Sequence, residues 1–337
     1  MKIKQLLIVA AIGTMVAACS SKDDYSVNEP EKIPIRITTG INEMITRSSG
    51  DPSTIHSTDF FENDEICVSI DYMQSGLVQG YPGYLDPVDK YAIFTKKGTD
   101  VWDCEYDLYA PGTGNNLAAV GFYPAKDKDG NKMTVETSTF EVQEEQQTDA
   151  NYKKSDLMVA HITDVYPANP VPLKFNHKLT KITIKIADCS EICTQEQFLT
   201  YQNGVDIINI TRTAALSSTN YFYSPSFTYT AKGTGTQNQT VCVCTYNEDD
   251  ALFTNGVSCI IPPQKVTAGT NLIRICYDID YFLHYEVPAG GIDFKAGYEY
   301  VFNLTLKKTD VTVSTIDINP WNGGEGDSNY EYNGDAI

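Results

Sequence analysis

Leu179-Thr180-Lys181-Ile182-Thr183-Ile184-Lys185-Ile186 sets three isoleucines at alternate positions, with Thr183 and Lys185 between them. In an extended chain successive side chains point to opposite faces. This spacing therefore puts the isoleucines on one face and the polar residues on the other. A helix would scatter the same residues around its circumference. The stretch predicts a half-buried β-strand.

The pattern recurs outward in both directions. Upstream, strands are predicted at 33–38, 65–72, 91–94, 117–123, 156–160 and 171–176. Downstream they are predicted at 205–210, 240–246, 257–261, 271–278, 281–287, 298–307 and 311–318. One short helix is expected over 192–201, with Thr194 as its cap. Polar and Gly/Pro-bearing stretches at 42–60 and 76–90 read as loops. Many short strands with turn signals between them indicate all-β sandwiches rather than a parallel sheet. The length allows two domains with separate cores. The expected division is an N-terminal domain over 33–188, a C-terminal domain over 189–321 and a mobile tail over 322–337. In the first strand Ile33, Ile35 and Ile37 alternate with other residues. Pro34 cannot donate a ladder hydrogen bond, so that strand belongs at a sheet edge.

The N-terminus has a different character. Lys2 and Lys4 precede an apolar run from Leu6 to Ile12, and Val16-Ala17-Ala18 leads to Cys19. A positive start, a short apolar stretch and small residues before a cleavage point make an export signal, here residues 1–18. The run is shorter than the about 20 apolar residues a permanent membrane helix needs. A cysteine directly after the small residues resembles a bacterial lipoprotein signal, in which that cysteine becomes the lipidated N-terminus. Residues 19–32 then form a polar tether.

The formal net charge is −19, and loss of Lys2 and Lys4 with the signal leaves −21. A field of that sign repels nucleic acid and anionic lipid. Of nine cysteines, eight remain once Cys19 is set aside: Cys67, Cys104, Cys189, Cys193, Cys242, Cys244, Cys259 and Cys276. An even number in an exported chain permits disulfides. Several lie within apolar strand patterns, where a reduced cysteine serves as a small buried hydrophobe.

Motifs for chemistry are weak. Asp127-Lys128-Asp129-Gly130-Asn131 resembles a calcium loop but has Lys132 where glycine is required and Ser138 where glutamate is required, so a tight turn is expected. Cys189, Cys193 and His177 lack standard zinc spacing. No nucleophile elbow, His-Glu-x-x-His or phosphate-cradling loop occurs. No metal, cofactor or catalytic residue is predicted. Trp102 and Trp321 could stack on sugar rings, or serve as core and rim residues. Arg47 opens a Ser/Gly/Asp-rich loop of the kind proteases prefer.

Several segments, in order, carry a resemblance. They are Asp156-Leu157-Met158-Val159-Ala160, Val171 through Ile182, and Ile260-Ile261-Pro262-Pro263-Gln264. Phe294-Lys295-Ala296-Gly297-Tyr298 and its continuation to Leu306 follow, and Ile318-Asn319-Pro320-Trp321 closes the series. The series resembles the fimbrillin-like proteins of Bacteroidales, the Mfa-like and FimA-like pilins. Thr46-Arg47 sits where many of them carry a Thr-Arg pair.

The resemblance implies two tandem transthyretin-like β-sandwich domains and a fimbrial subunit that serves cell adhesion without catalysis. It implies lipidation at Cys19 and a cut by an arginine-specific surface protease between Arg47 and Ser48. The released strand would carry Ile33, Ile35 and Ile37, and a strand from another subunit would take its place. A tip or minor stalk position is expected at the outer membrane or fimbrium, with a host protein or glycan as possible ligand. The alternatives are an anchor subunit that keeps its lipid and a surface lipoprotein that binds glycans.

Overall fold

Lys181, Thr183 and Lys185 alternate with Ile182, Ile184 and Ile186 along β12 (Thr180–Asp188), and the isoleucines are buried. β12 pairs antiparallel with β17 (Val257–Ile261) and parallel with β22 (Tyr298–Leu306), which pairs antiparallel with β23 (Val311–Pro320). The computed structural model describes residues 32–41, 60–74, 77–79, 91–105, 108–111, 116–166, 169–200, 204–219, 226–231, 239–244, 251–278 and 281–321. The all-β expectation holds.

Facing the β17-β12-β22-β23 sheet is a second four-stranded sheet. Its order is β16 (Gln239–Cys244), β13 (Gly204–Ile210), β19 (Asn271–Asp278), β20 (Tyr281–Glu286). Val205, Ile207, Ile273, Ile275 and Leu283 from this sheet pack with Ile182, Ile184 and Phe302 from the other. β18 (Gln264–Val266) pairs with β21 (Ile292–Phe294).

The N-terminal half forms an eight-stranded sheet. Its order is β2 (Ile37–Ile41), β11 (Val171–His177), β10 (Met158–Val165), β8 (Asn116–Tyr123), β3 (Glu65–Gln74), β5 (Ala92–Gly98), β6 (Val101–Cys104). β4 (Leu77–Gln79) pairs with β3. Both faces are buried. Ile66, Val68, Phe94, Ala119, Leu173 and Phe175 share one cluster. Cys67, Ile93, Val120, Phe122 and Val159 face the other way. At Gly121 the Phe175 ring comes so close that a methyl group would sit 2.9 Å from its Cζ.

The strand pairing runs across residue 188. β12 ends at that position, and its neighbours β17 and β22 lie far beyond it. The larger apolar cluster also crosses it, running from Cys67 and Phe122 to Phe302 and Trp321. The connecting segment explains this. β9 (Thr139–Glu141) adds to β14 (Thr213–Thr219), which pairs with β15 (Ser226–Ala231). Arg212 reaches Glu144 at 3.0 Å and Glu141 at 3.6 Å. The buried Gln146 amide accepts from the Ile260 N–H and donates to the Ile260 carbonyl, both at 2.8 Å. A side chain thus completes the strand pairing that β17 lacks.

The helix α1 (Asp149–Ser155) escaped the sequence reading, and so did β4, β6, β7 (Tyr109–Pro111), β9, β14, β15, β18 and β21. Its cap is Thr148, whose hydroxyl accepts from the Asn151 N–H, and it buries Tyr152 and Ser155. The predicted helix at 192–201 is α2 (Gln195–Thr200). The Thr194 hydroxyl accepts from the Gln197 N–H and Gln197 Oε1 accepts from the Thr194 N–H, a reciprocal capping box.

Candidate functional site: the groove under the first strand

Residues 32–41 run along one flank of the N-terminal half and are shared between two sheets. β1 (Lys32–Pro34) pairs antiparallel with β7, placing Ile33 opposite Ala110. The Ile35 N–H donates to the Leu108 carbonyl at 2.9 Å. At the next residue the chain changes partner, and the Arg36 carbonyl accepts from the Val171 N–H at 2.8 Å. β2 then runs parallel to β11, from Ile37 opposite Val171 to Ile41 opposite Phe175.

The alternation read from the sequence is what seats this strap. Ile37 is 4% exposed. Ile33, Ile35 and Ile41 are partly buried against Phe60, Ile66, Phe94, Leu173, Phe175 and their neighbours. Pro34 and Arg36, between them, are exposed. Pro34 is tolerated because β1, among the described residues, pairs with β7 alone. The single strand expected over 33–38 is thus two short ones, with the break at Ile35-Arg36 where the chain passes between sheets.

Each strand pairing of the strap is made at a sheet edge. Among the described residues β2 is the terminal strand of its sheet, and β7 pairs with β1 alone. Removing the strap would bare the β11 edge and the apolar side chains beneath it. Leu108 and β7 were not read from the sequence as its partners. The run Leu108-Tyr109-Ala110-Pro111 is too short to show a period.

Cys19, Arg47 and Ser48 lie outside the described residues. Trp321 is buried and so offers no platform to a sugar. Trp102 packs edge-on against Phe60 with centroids 5.4 Å apart. Asp127 closes a turn: its Oδ1 accepts from the Asp129 and Asn131 N–H groups at 2.9 Å, and Gly130 supplies a φ of 85°. His177 Nδ1 meets Asp156 Oδ1 at 2.8 Å. Among the described residues no three His, Cys, Asp or Glu side chains are grouped to hold a metal.

The motif Pro262-Pro263-Gln264 has a structural role. Gln264 Oε1 accepts from the Thr211 N–H at 2.9 Å and Nε2 donates to the Thr211 carbonyl at 3.0 Å. In the motif ending at Tyr298, Gly297 has a φ of 72°. Its N–H donates to the Leu179 carbonyl, and its own carbonyl accepts from the Trp321 N–H, both at 2.8 Å.

The family model for fimbrillin-like proteins matches residues 47–321. The chain belongs to the fimbrillin-like family. The matched span begins beyond the strap, so β1 and β2 lie outside it. Among solved structures, the fimbrillin-like chain is similar to a candidate cell adhesion protein of Bacteroides ovatus. The TM-score is 0.61 at 16% identity, covering 86% of this chain and 98% of that one. A candidate cell adhesion protein of Bacteroides uniformis matches with a TM-score of 0.55 at 17% identity, with the same coverage of 86% and 98%. At those identities the likeness shows the fold. No curated protein matches the chain. Membership of the family places the chain among fimbrial proteins of the cell surface. Among the described residues no helix is long and apolar enough to cross a membrane.

Proposed function

We propose that this fimbrillin-like chain is a tip or minor stalk subunit, held unpolymerised by its own first strand. The observation that carries this reading is the strap: an alternating apolar segment paired at sheet edges, over a core it helps to close. Its loss leaves an open edge and a row of apolar pockets, the two features a donated strand fills. Lipid on Cys19 delivers the precursor to the outer membrane. An arginine-specific protease cuts after Arg47, and the strap leaves with the lipid. A strand of another subunit then takes its place.

The reading includes no catalytic role. A tip or minor position is supported by β23, which pairs with β22 along its whole length and is followed by a Gly- and Asn-rich tail. A segment of that composition is a poor donor. Two sandwiches are proposed with their division between β11 and β12, where the strand pairing changes partners.

The N-terminal residue of the protein on cells tests the reading. Ser48 is expected on assembled material and acylated Cys19 on the precursor. Arg47→Ala should hold the protein in the lipidated, monomeric form. Normal assembly of that variant overturns the processing step. Acylated Cys19 on all surface material would instead indicate an anchor or a permanent lipoprotein.

A further inference from the structure

The turn between β12 and α2 brings two thiols together. Cys193 donates its N–H to the Cys189 carbonyl at 3.1 Å, and Ile192 donates to the same carbonyl at 2.9 Å. This is one helical turn, which sets the two Cα atoms about 6 Å apart. That separation lies within the range a disulfide spans, about 4.4–6.8 Å. The side chain of Cys189 points back across the turn, and its Sγ lies 3.6 Å from the Cys193 carbonyl oxygen. The sulfur therefore lies over the backbone of the residue whose thiol it would meet. Both cysteines are free thiols.

We infer that Cys189 and Cys193 form a redox clasp, closed by a disulfide when the protein meets a small-molecule disulfide such as oxidised glutathione. Cys193 is the partly exposed member and Cys189 is 5% exposed, so the order of events is fixed by access. The Cys193 thiolate attacks one sulfur of glutathione disulfide and expels one glutathione thiolate. The Cys189 thiolate then attacks the Cys193 sulfur, forms the Cys189–Cys193 bond and expels the second. The two protein thiols lose two electrons and two protons, and glutathione disulfide becomes two molecules of glutathione. Burial pushes the Cys189 thiol up to about 11, which lowers its thiolate fraction near neutral pH.

The clasp has a structural consequence. The turn feeds directly into α2, whose Phe198 is fully buried and packs edge-on against Phe253 with centroids 5.6 Å apart. Closing the disulfide fixes the lead-in to that anchor.

The sequence supplies a clean test. Tryptic cleavage after Lys185 and Arg212 yields one peptide, residues 186–212, with Cys189 and Cys193 as its two cysteines. The folded full-length protein is treated with oxidised glutathione, blocked with iodoacetamide and digested without reduction. The expected peptide carries no alkyl groups and lacks two hydrogens. Cys193→Ser should instead yield this peptide with Cys189 alkylated or glutathionylated, and the circular dichroism of the folded variant should be unchanged. The inference is overturned if the wild-type peptide carries two alkyl groups, two glutathiones, or a bond to another peptide.

Discussion

The imidazole of His177 lies flat on the indole of Trp321, with ring centroids 3.7 Å apart and planes 8° from parallel. His177 ends β11 in the N-terminal sheet, and Trp321 directly follows β23, the last strand of the C-terminal one. Asp156 holds the other side of the imidazole through Nδ1. Lys181 Nζ, paired with Glu299 at 3.1 Å, lies 5.9 Å from the indole centroid. Residues from both halves of the chain thus meet around one buried ring.

Trp321→Ala removes that ring. A buried Trp or Phe truncated to alanine costs about 3–5 kcal/mol. A loss of that size is expected in urea unfolding, and Trp321→Phe should recover most of it. An alanine variant within 1 kcal/mol of wild type would mean that the stack does not hold the two halves together.

Gln146 completes the β17 edge with its amide. Its replacement by leucine leaves the N–H and carbonyl of Ile260 without those partners. A buried polar group left unmatched costs about 1–3 kcal/mol, so about 2–6 kcal/mol is expected for the two. Gln146→Glu should also destabilise, because a carboxylate cannot donate to the Ile260 carbonyl. Calorimetric melting of both variants checks this, and an unchanged midpoint for either one contradicts it.

Ile37 is the buried centre of the strap. Ile37→Ala should cost about 2–4 kcal/mol, felt first as loosening of residues 32–41. Hydrogen exchange of β11 amides reports this directly. Faster exchange at Val171 is expected, since its N–H is held by the Arg36 carbonyl. Uniform acceleration across both sheets would instead show that the strap does not open on its own.

Stability should fall in alkaline solution. Burial raises the Cys189 thiol from its ordinary 9.0 to about 11 and the Tyr300 phenol from 10.0 to about 12. Burial also raises Cys242, Tyr91 and Tyr123. Once unfolded, these groups ionise at their ordinary values, so above pH 9 the unfolded chain holds fewer protons than the folded one. Folding stability then decreases as pH rises. The contribution is fully present below pH 9 and is lost up to about pH 12. A thermal midpoint that stays level from about pH 9 to 11.5 would contradict it.

Legibility varied along the chain for physical reasons. Long strands such as β3, β12 and β22 were visible because each is long enough to repeat its apolar residues at alternate positions. Three-residue strands such as β7, β18 and β21 were not, because three residues cannot display one. α1 was missed although Thr148 caps it, since about two turns bury little more than Tyr152 and Ser155. The apolar alternation of Ile33, Ile35 and Ile37 was legible. The change of partner at Ile35-Arg36 was not, because it depends on where Leu108 and Val171 arrive from distant parts of the chain.

By itself the sequence determined the all-β class, the edge character of the first strand and the apolar face by which it is seated. These follow from local rules: side-chain period, the missing proline donor and the hydrophobicity of each position. Only the tertiary structure decided which sheets that strand closes and that β12 belongs with β17 and β22. It also decided that Gln146 and Trp321 lock the two halves. Those outcomes depend on backbone groups and rings far apart in the chain, whose pairing exists only once both strands of each pair are in place.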